Sequence, residues 1–210
     1  MRLVDLYSVM RVAGQVRAFR PDPVPTATLA RVLEHARFAP NGGNRQGWRV
    51  IVVTDPERRC ALRDVHLAQH HAYVAAGAKG APAHGHLGEH LDEVPVHLLV
   101  LVDLRALAIL DQSLSRPAIV GGASIYPFVQ NILLALRSEG LGGAITTLVV
   151  GAEPQLKTMF EIPESYAVAA LVLCGWPRDR LPTRLARDPV SSFATRNSFT
   201  GPPFDDAVVS

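Results

Sequence analysis

The segment APNGGNRQGWRVIVV at residues 39–53 sets Asn41, Gly42, Gly43, Asn44 and Gln46 between an apolar helical stretch and a run rich in β-branched residues. Glycines let a backbone come close to a flat ligand, and each carboxamide carries both a donor and an acceptor. Together they match a ring edge that presents carbonyl and N–H groups side by side, as a flavin does. The far end of such a cofactor is a phosphate, and guanidinium groups bind phosphate well. Arg11 and Arg17 lie before the periodic helix that starts near Thr26, and Arg184 and Arg187 lie in the C-terminal tail. The same residues also make an ordinary helix-to-strand turn with surface arginines, and residue types alone favour that plainer reading.

Other chemistries find less support. His70, His71, His84, His86 and His90 form a loose cluster without zinc-site spacing or cysteine partners, so we expect no metal. There is no Gly-x-Ser-x-Gly turn, and Cys60 sits in an arginine-rich helix without an evident histidine partner. The run GLGGAI at 140–145 follows a helix and precedes a strand, the reverse of a dinucleotide-binding turn. No catalytic side chain is therefore nominated.

The elements that would hold these residues can be read from periodicity. A helix follows Thr26, its expected N-cap, and stops before Pro40, Trp48–Val53 makes a short strand, and residues 57–77 return to helical spacing. Residues 77–93 have no period and look like a mobile excursion or a covering element. Val96–Val102 reads as a buried strand, a central helix starts near Tyr126 and stops at Gly140, and AITTLVV and AVAALVLCG supply two more strands around the helix PQLKTMFEI. The tail from residue 178 holds Phe193, Phe199 and Phe204 but too little apolar surface for a core, so it should pack on a neighbouring subunit.

At 210 residues, 48% hydrophobic and 19% charged, the chain suits one globular domain. Its longest apolar runs are too short for a membrane helix, and Asp5 interrupts any secretory leader, so a cytoplasmic location is expected. A net charge of +2 with dispersed arginines argues against a nucleic-acid partner. Cys60 and Cys174 are far apart, and no disulfide is expected.

Order along the chain adds what single motifs lack. VRAFRPDPVP, APNGGNRQGWRVIVV, GGASIYPFVQNILLALRSEGLGGAITTLVV, IPESYAVAALVLCGWP and TRLARDPVSSF resemble, in that order, the landmarks of the nitroreductase family of FMN-dependent oxidoreductases. The resemblance implies an α+β fold with a central mixed or antiparallel sheet flanked by helices, working as an intertwined homodimer with FMN at the subunit interface. It assigns Pro40, Asn41, Gly42 and Asn44 to FMN contact, commonly from the partner subunit, and Arg17, Arg184 and Arg187 to the phosphate end, with Arg11 able to help from one turn earlier. Ile145, Thr146 and Thr147 would pass the ring system. The implied activity is hydride transfer from NADH or NADPH through the flavin to a small-molecule electron acceptor. Ala13, Gly14 and Gln15 stand where the family usually has basic and small polar phosphate contacts. The alternative is therefore a flavin-binding or regulatory member with a weakened phosphate pocket.

Overall fold

In the computed structural model, residues 5–77, 87–181 and 185–204 are described. Strands β1 (Trp48–Val53), β2 (Val96–Asp103), β3 (Gly142–Thr146) and β4 (Tyr166–Gly175) form one sheet in the order β1-β2-β4-β3. Each neighbouring pair is antiparallel, so of the two expected sheet types the described strands adopt the antiparallel one. The longer helices that accompany it are α1 (Leu6–Val12), α2 (Thr26–Ala36), α3 (Pro56–Ala75), α4 (Tyr126–Ser138) and α5 (Glu153–Phe160).

The central strands are buried on both faces, which is why they read as nearly continuous apolar runs, interrupted within β2 by His97. On one face Leu98, Val100 and Val172 pack with Val32 of α2 and with Ile132 and Leu136 of α4. On the other, Leu99, Leu101, Leu171 and Leu173 pack with Leu62 of α3 and Leu156 of α5. The architecture is α+β, with helices on both sides of an antiparallel sheet. The register shifts between Val100 and Leu101, whose partners are Ala170 and Val168, as at a β-bulge that leaves Ala169 without a partner in the ladder. Cys174, buried on β4, has its thiol pushed up to about 12 by burial; both cysteines are free.

Local chemistry explains the element ends. Asp55 caps α3 by accepting the Arg58 N–H at 2.9 Å, with Pro56 at the start of the helix, where its missing N–H does no harm. At the end of α4, Gly140 takes φ +79, while the Leu141 N–H bonds the Leu136 carbonyl and the Gly140 N–H bonds that of Arg137. These are the paired bonds of a glycine-terminated helix.

Three expectations shift. Thr26 is the first residue of α2 rather than its cap, a place taken by Pro25 without a side-chain bond. The strand expected over AITTLVV starts earlier and ends at Thr146, because the chain turns at Leu148–Ala152, where the Val150 N–H bonds the Thr147 carbonyl. Arg11, read from sequence as lying in a non-helical lead-in to the Thr26 helix, lies instead in the last turn of a helix of its own, α1, which Asp5 caps through the Ser8 N–H at 3.0 Å. Of the expected covering segment, 78–86 lie outside the described residues, along with His84 and His86; Leu87 and Leu91 beyond it are buried in the core. No helix among the described residues is long and apolar enough to cross a membrane.

Candidate functional site

The loop after α2 is held by its own polar groups. Asn41 Oδ1 accepts the Gln46 N–H at 2.9 Å, its Nδ2 donates to the Ala39 carbonyl at 3.3 Å, and Ser124 Oγ accepts the Gly42 N–H at 3.1 Å. These bonds hold the backbone in the left-handed region at Gly43 (φ +64), Asn44 (φ +52) and Gln46 (φ +49). Glycine does this freely and asparagine readily, whereas Gln46 carries a cost of roughly 1–2 kcal/mol. The carboxamide of Asn41 therefore organises the loop, while Pro40, Asn44 and Gln46 are exposed along it.

At the far side of the sheet, the end of β3 borders a cleft of about 490 Å³. The cleft is lined by Ile145, Thr146, Thr147 and Gly151 and, from α3, by Gln69 and Tyr73. Thr146 faces inward: its hydroxyl lies 3.3 Å from His66 Nε2 and accepts the Leu148 N–H at 3.3 Å. Thr147 is exposed at the cleft. Of the two threonines, Thr147 is thus the one whose side chain is available to a ligand, with the backbone of the turn behind it.

A second cavity, of about 200 Å³, shares Ile145 with the first. It is bounded by residues 13–16, by Gly142 and Gly143, by Gln130, Leu133 and Arg137 of α4, and by Arg187. The segment before Arg17 runs along β3, with the Val16 N–H bonded to the Gly143 carbonyl at 3.0 Å and the Ile145 N–H donated to Gln15 Oε1 at 2.9 Å. Gly142 permits this approach, since a Cβ there would sit within 2.8–2.9 Å of the Val16 side chain. A larger, mainly apolar cleft beside threonines and a smaller cavity edged by guanidinium groups thus meet at one residue. That shape and charge suit a molecule with a flat head and an anionic tail, as FMN is, and the residues present fit it.

The structure brings together Ile145, Thr146, Thr147 and Arg187. It leaves Pro40, Asn41, Gly42, Asn44 and Gln46 out of both linings, so within one chain the carboxamide loop and the strand end stand apart. Arg17 lines a separate cleft of about 110 Å³ with His90, Glu93 and Arg178, and Arg11 is exposed on α1. Arg184 lies outside the described residues. Sequence reasoning missed Gln69, Tyr73, Gln130 and Arg137. Gln130, Leu133 and Arg137 recur at helical spacing and so share one face of α4, a signal that the apolar character of that helix hid. Among the described residues no group of three or more His, Cys, Asp or Glu side chains is placed to hold a metal ion.

Comparison with known proteins gives a consistent picture. The profile of the nitroreductase family matches residues 15–176. A Thermus thermophilus protein named NADH dehydrogenase is 33% identical over 181 residues, covering 78% of this chain and 82% of its own length. The 5,6-dimethylbenzimidazole synthase of Rhodospirillum rubrum is 31% identical over 179 residues, with 80% and 79% covered. In fold, the chain is similar to oxidized iodotyrosine deiodinase in its crystal structure with FMN and 3-iodo-L-tyrosine, with a TM-score of 0.73, 23% identity, and coverage of 93% of this chain and 100% of that one.

Proposed function

This chain belongs to the nitroreductase family, and from that premise we propose that it is an FMN-dependent oxidoreductase, taking hydride from NADH or NADPH and reducing a nitroaromatic, quinone-like or other conjugated acceptor. The observation that carries the proposal is the meeting of two cavities at Ile145, one open and mainly apolar beside Thr147, as a flat ring system would need, the other lined by Arg187. When bound, the flavin supplies the electron transfer, and the protein supplies position and charge. Thr147 and the turn backbone behind it would bind the ring system, with Gln69 and Tyr73 of α3 completing the lining of the cleft. Arg187 would hold the anionic tail. No side chain is needed as an acid or base.

The exposed residues Pro40, Asn44 and Gln46 take their place in this reading through a homodimer, each subunit lending its loop to the other's cleft. The exposed Phe193 and Phe199 of the tail agree with a partner surface. The test is steady-state reduction of a nitroaromatic by NADPH and by NADH without added FMN: turnover supports the proposal, and a protein that takes up FMN yet shows no turnover with either donor across several acceptor classes rejects it.

A second reading rests on its own observation. Ala13 and Gly14 bring no charge to the smaller cavity, and Arg17 turns into a different cleft. A family member with so reduced a cationic edge would bind flavin weakly and act as a flavin-binding or regulatory protein. Weak, readily lost FMN together with absent turnover would favour it.

A further inference from the structure

The described lining of the smaller cavity holds two charged side chains, Arg137 and Arg187, and no carboxylate. Arg187 reaches it from the tail, where it also donates to the Ala186 carbonyl at 2.7 Å. Arg137 reaches it from the last turn of α4, a rigid helix whose Ile132 and Leu136 are fully buried in the core. The Nε of Arg137 is itself buried and has no hydrogen-bond partner among the described residues. A buried guanidinium donor without an acceptor is costly, and a charged acceptor in the cavity would remove that cost. Glu139, the carboxylate two residues on, does not serve: both its oxygens are taken by Arg31, at 3.1 and 2.7 Å.

We propose that Arg137 is an anion anchor of this cavity, gripping with Arg187 the phosphate of the cofactor in place of cations that Ala13 and Gly14 cannot provide. This rests on the flavin reading above. A guanidinium fixed on a helix is the part of the site set before binding, whereas Arg187 arrives on a tail segment. The Gln15 carboxamide, tied to the Ile145 N–H, lies at the boundary between the anionic end and the ring end.

The test compares binding of FMN with binding of riboflavin, which has the same rings and no phosphate, to flavin-free full-length protein by quenching of flavin fluorescence. Thermal unfolding serves as the folding check. Arg137→Gln is expected to weaken FMN binding about tenfold or more, the usual scale for a lost charge-assisted bond, and to leave riboflavin binding unchanged. Arg137→Lys, which keeps the charge, should fall between the two and covers the case in which the Gln variant does not fold. Unaltered FMN affinity in both variants overturns the proposal. So does a parent protein that binds FMN and riboflavin equally, although the flavin reading then survives; binding of neither by the parent overturns both.

Discussion

The carboxamide oxygen of Gln15 accepts the backbone N–H of Ile145 at 2.9 Å, across 130 positions of sequence. That bond joins the segment leading out of α1 to β3 at the residue shared by both cavities. Gln15→Ala leaves the Ile145 amide to solvent, and since the bond is exposed the expected loss is about 0.5–1 kcal/mol in urea unfolding. An unchanged midpoint would show that the bond contributes nothing in solution.

Gly142 is a harder constraint. A methyl group there would press on Val16 at 2.8–2.9 Å, so Gly142→Ala must push the segment off β3 and break the 3.0 Å bond from the Val16 N–H to the Gly143 carbonyl. The expected cost is about 1–3 kcal/mol, which at about 2–4 °C per kcal/mol is a readily measured fall in Tm. A variant as stable as the parent would mean that the segment is not packed against β3.

His97 on β2 sets a pH dependence. It is fully buried, its Nε2 lies 2.8 Å from the Leu91 carbonyl, and burial holds its pKa down at about 4 against an ordinary 6.5. Above 6.5 both folded and unfolded chains keep this histidine neutral and its contribution to stability is complete. As the pH falls from 6.5 towards 4 the unfolded chain takes up the proton and the folded chain does not. Stability should then drop by about 1.4 kcal/mol per pH unit, or roughly 3 kcal/mol across that window. Urea unfolding of the parent and of His97→Gln as a function of pH checks it; equal slopes in the two proteins would contradict the assignment.

The cysteines differ in the same way. Cys174 is fully buried with its thiol pushed up to about 12, while Cys60 is half-buried, its thiol raised by burial and by the neighbouring Asp92. An aromatic disulfide reagent should titrate Cys60 slowly in the native protein and Cys174 only after denaturant is added. Rapid native labelling of Cys60→Ser would place Cys174 outside the core.

Much of the scaffold is legible in the residues. Trp48–Val53 falls on β1 through its β-branched residues, and the run from Val96 gives β2 to within a residue, because a strand buried on both faces reads as nearly continuous apolar sequence despite His97. Gly140 marks the end of α4 because few other residues accept φ +79. The end of β3 was not legible: Val149 and Val150 carry strand-forming side chains, but tertiary packing turns them into a short helical stretch with Val149 in the core. For the proposed site, order along the chain points to Ile145–Thr147 and Arg187, which line the two cavities. Arg137 and Gln130 were hidden, because their place in the cavity lining comes only from the α4 face that β3 and the tail meet. Asn41 has polar groups of the expected kind, but its own loop uses them.

The most direct measurement is the absorption spectrum of the purified protein after saturation with FMN and desalting, followed under anaerobic conditions by addition of NADPH or NADH, with gel filtration of the same sample. A retained flavin band at about one FMN per subunit in a dimer, bleached by the nicotinamide, is the predicted result. A colourless monomer that releases all its flavin on desalting, or a bound flavin that neither donor reduces, would contradict the proposed oxidoreductase activity.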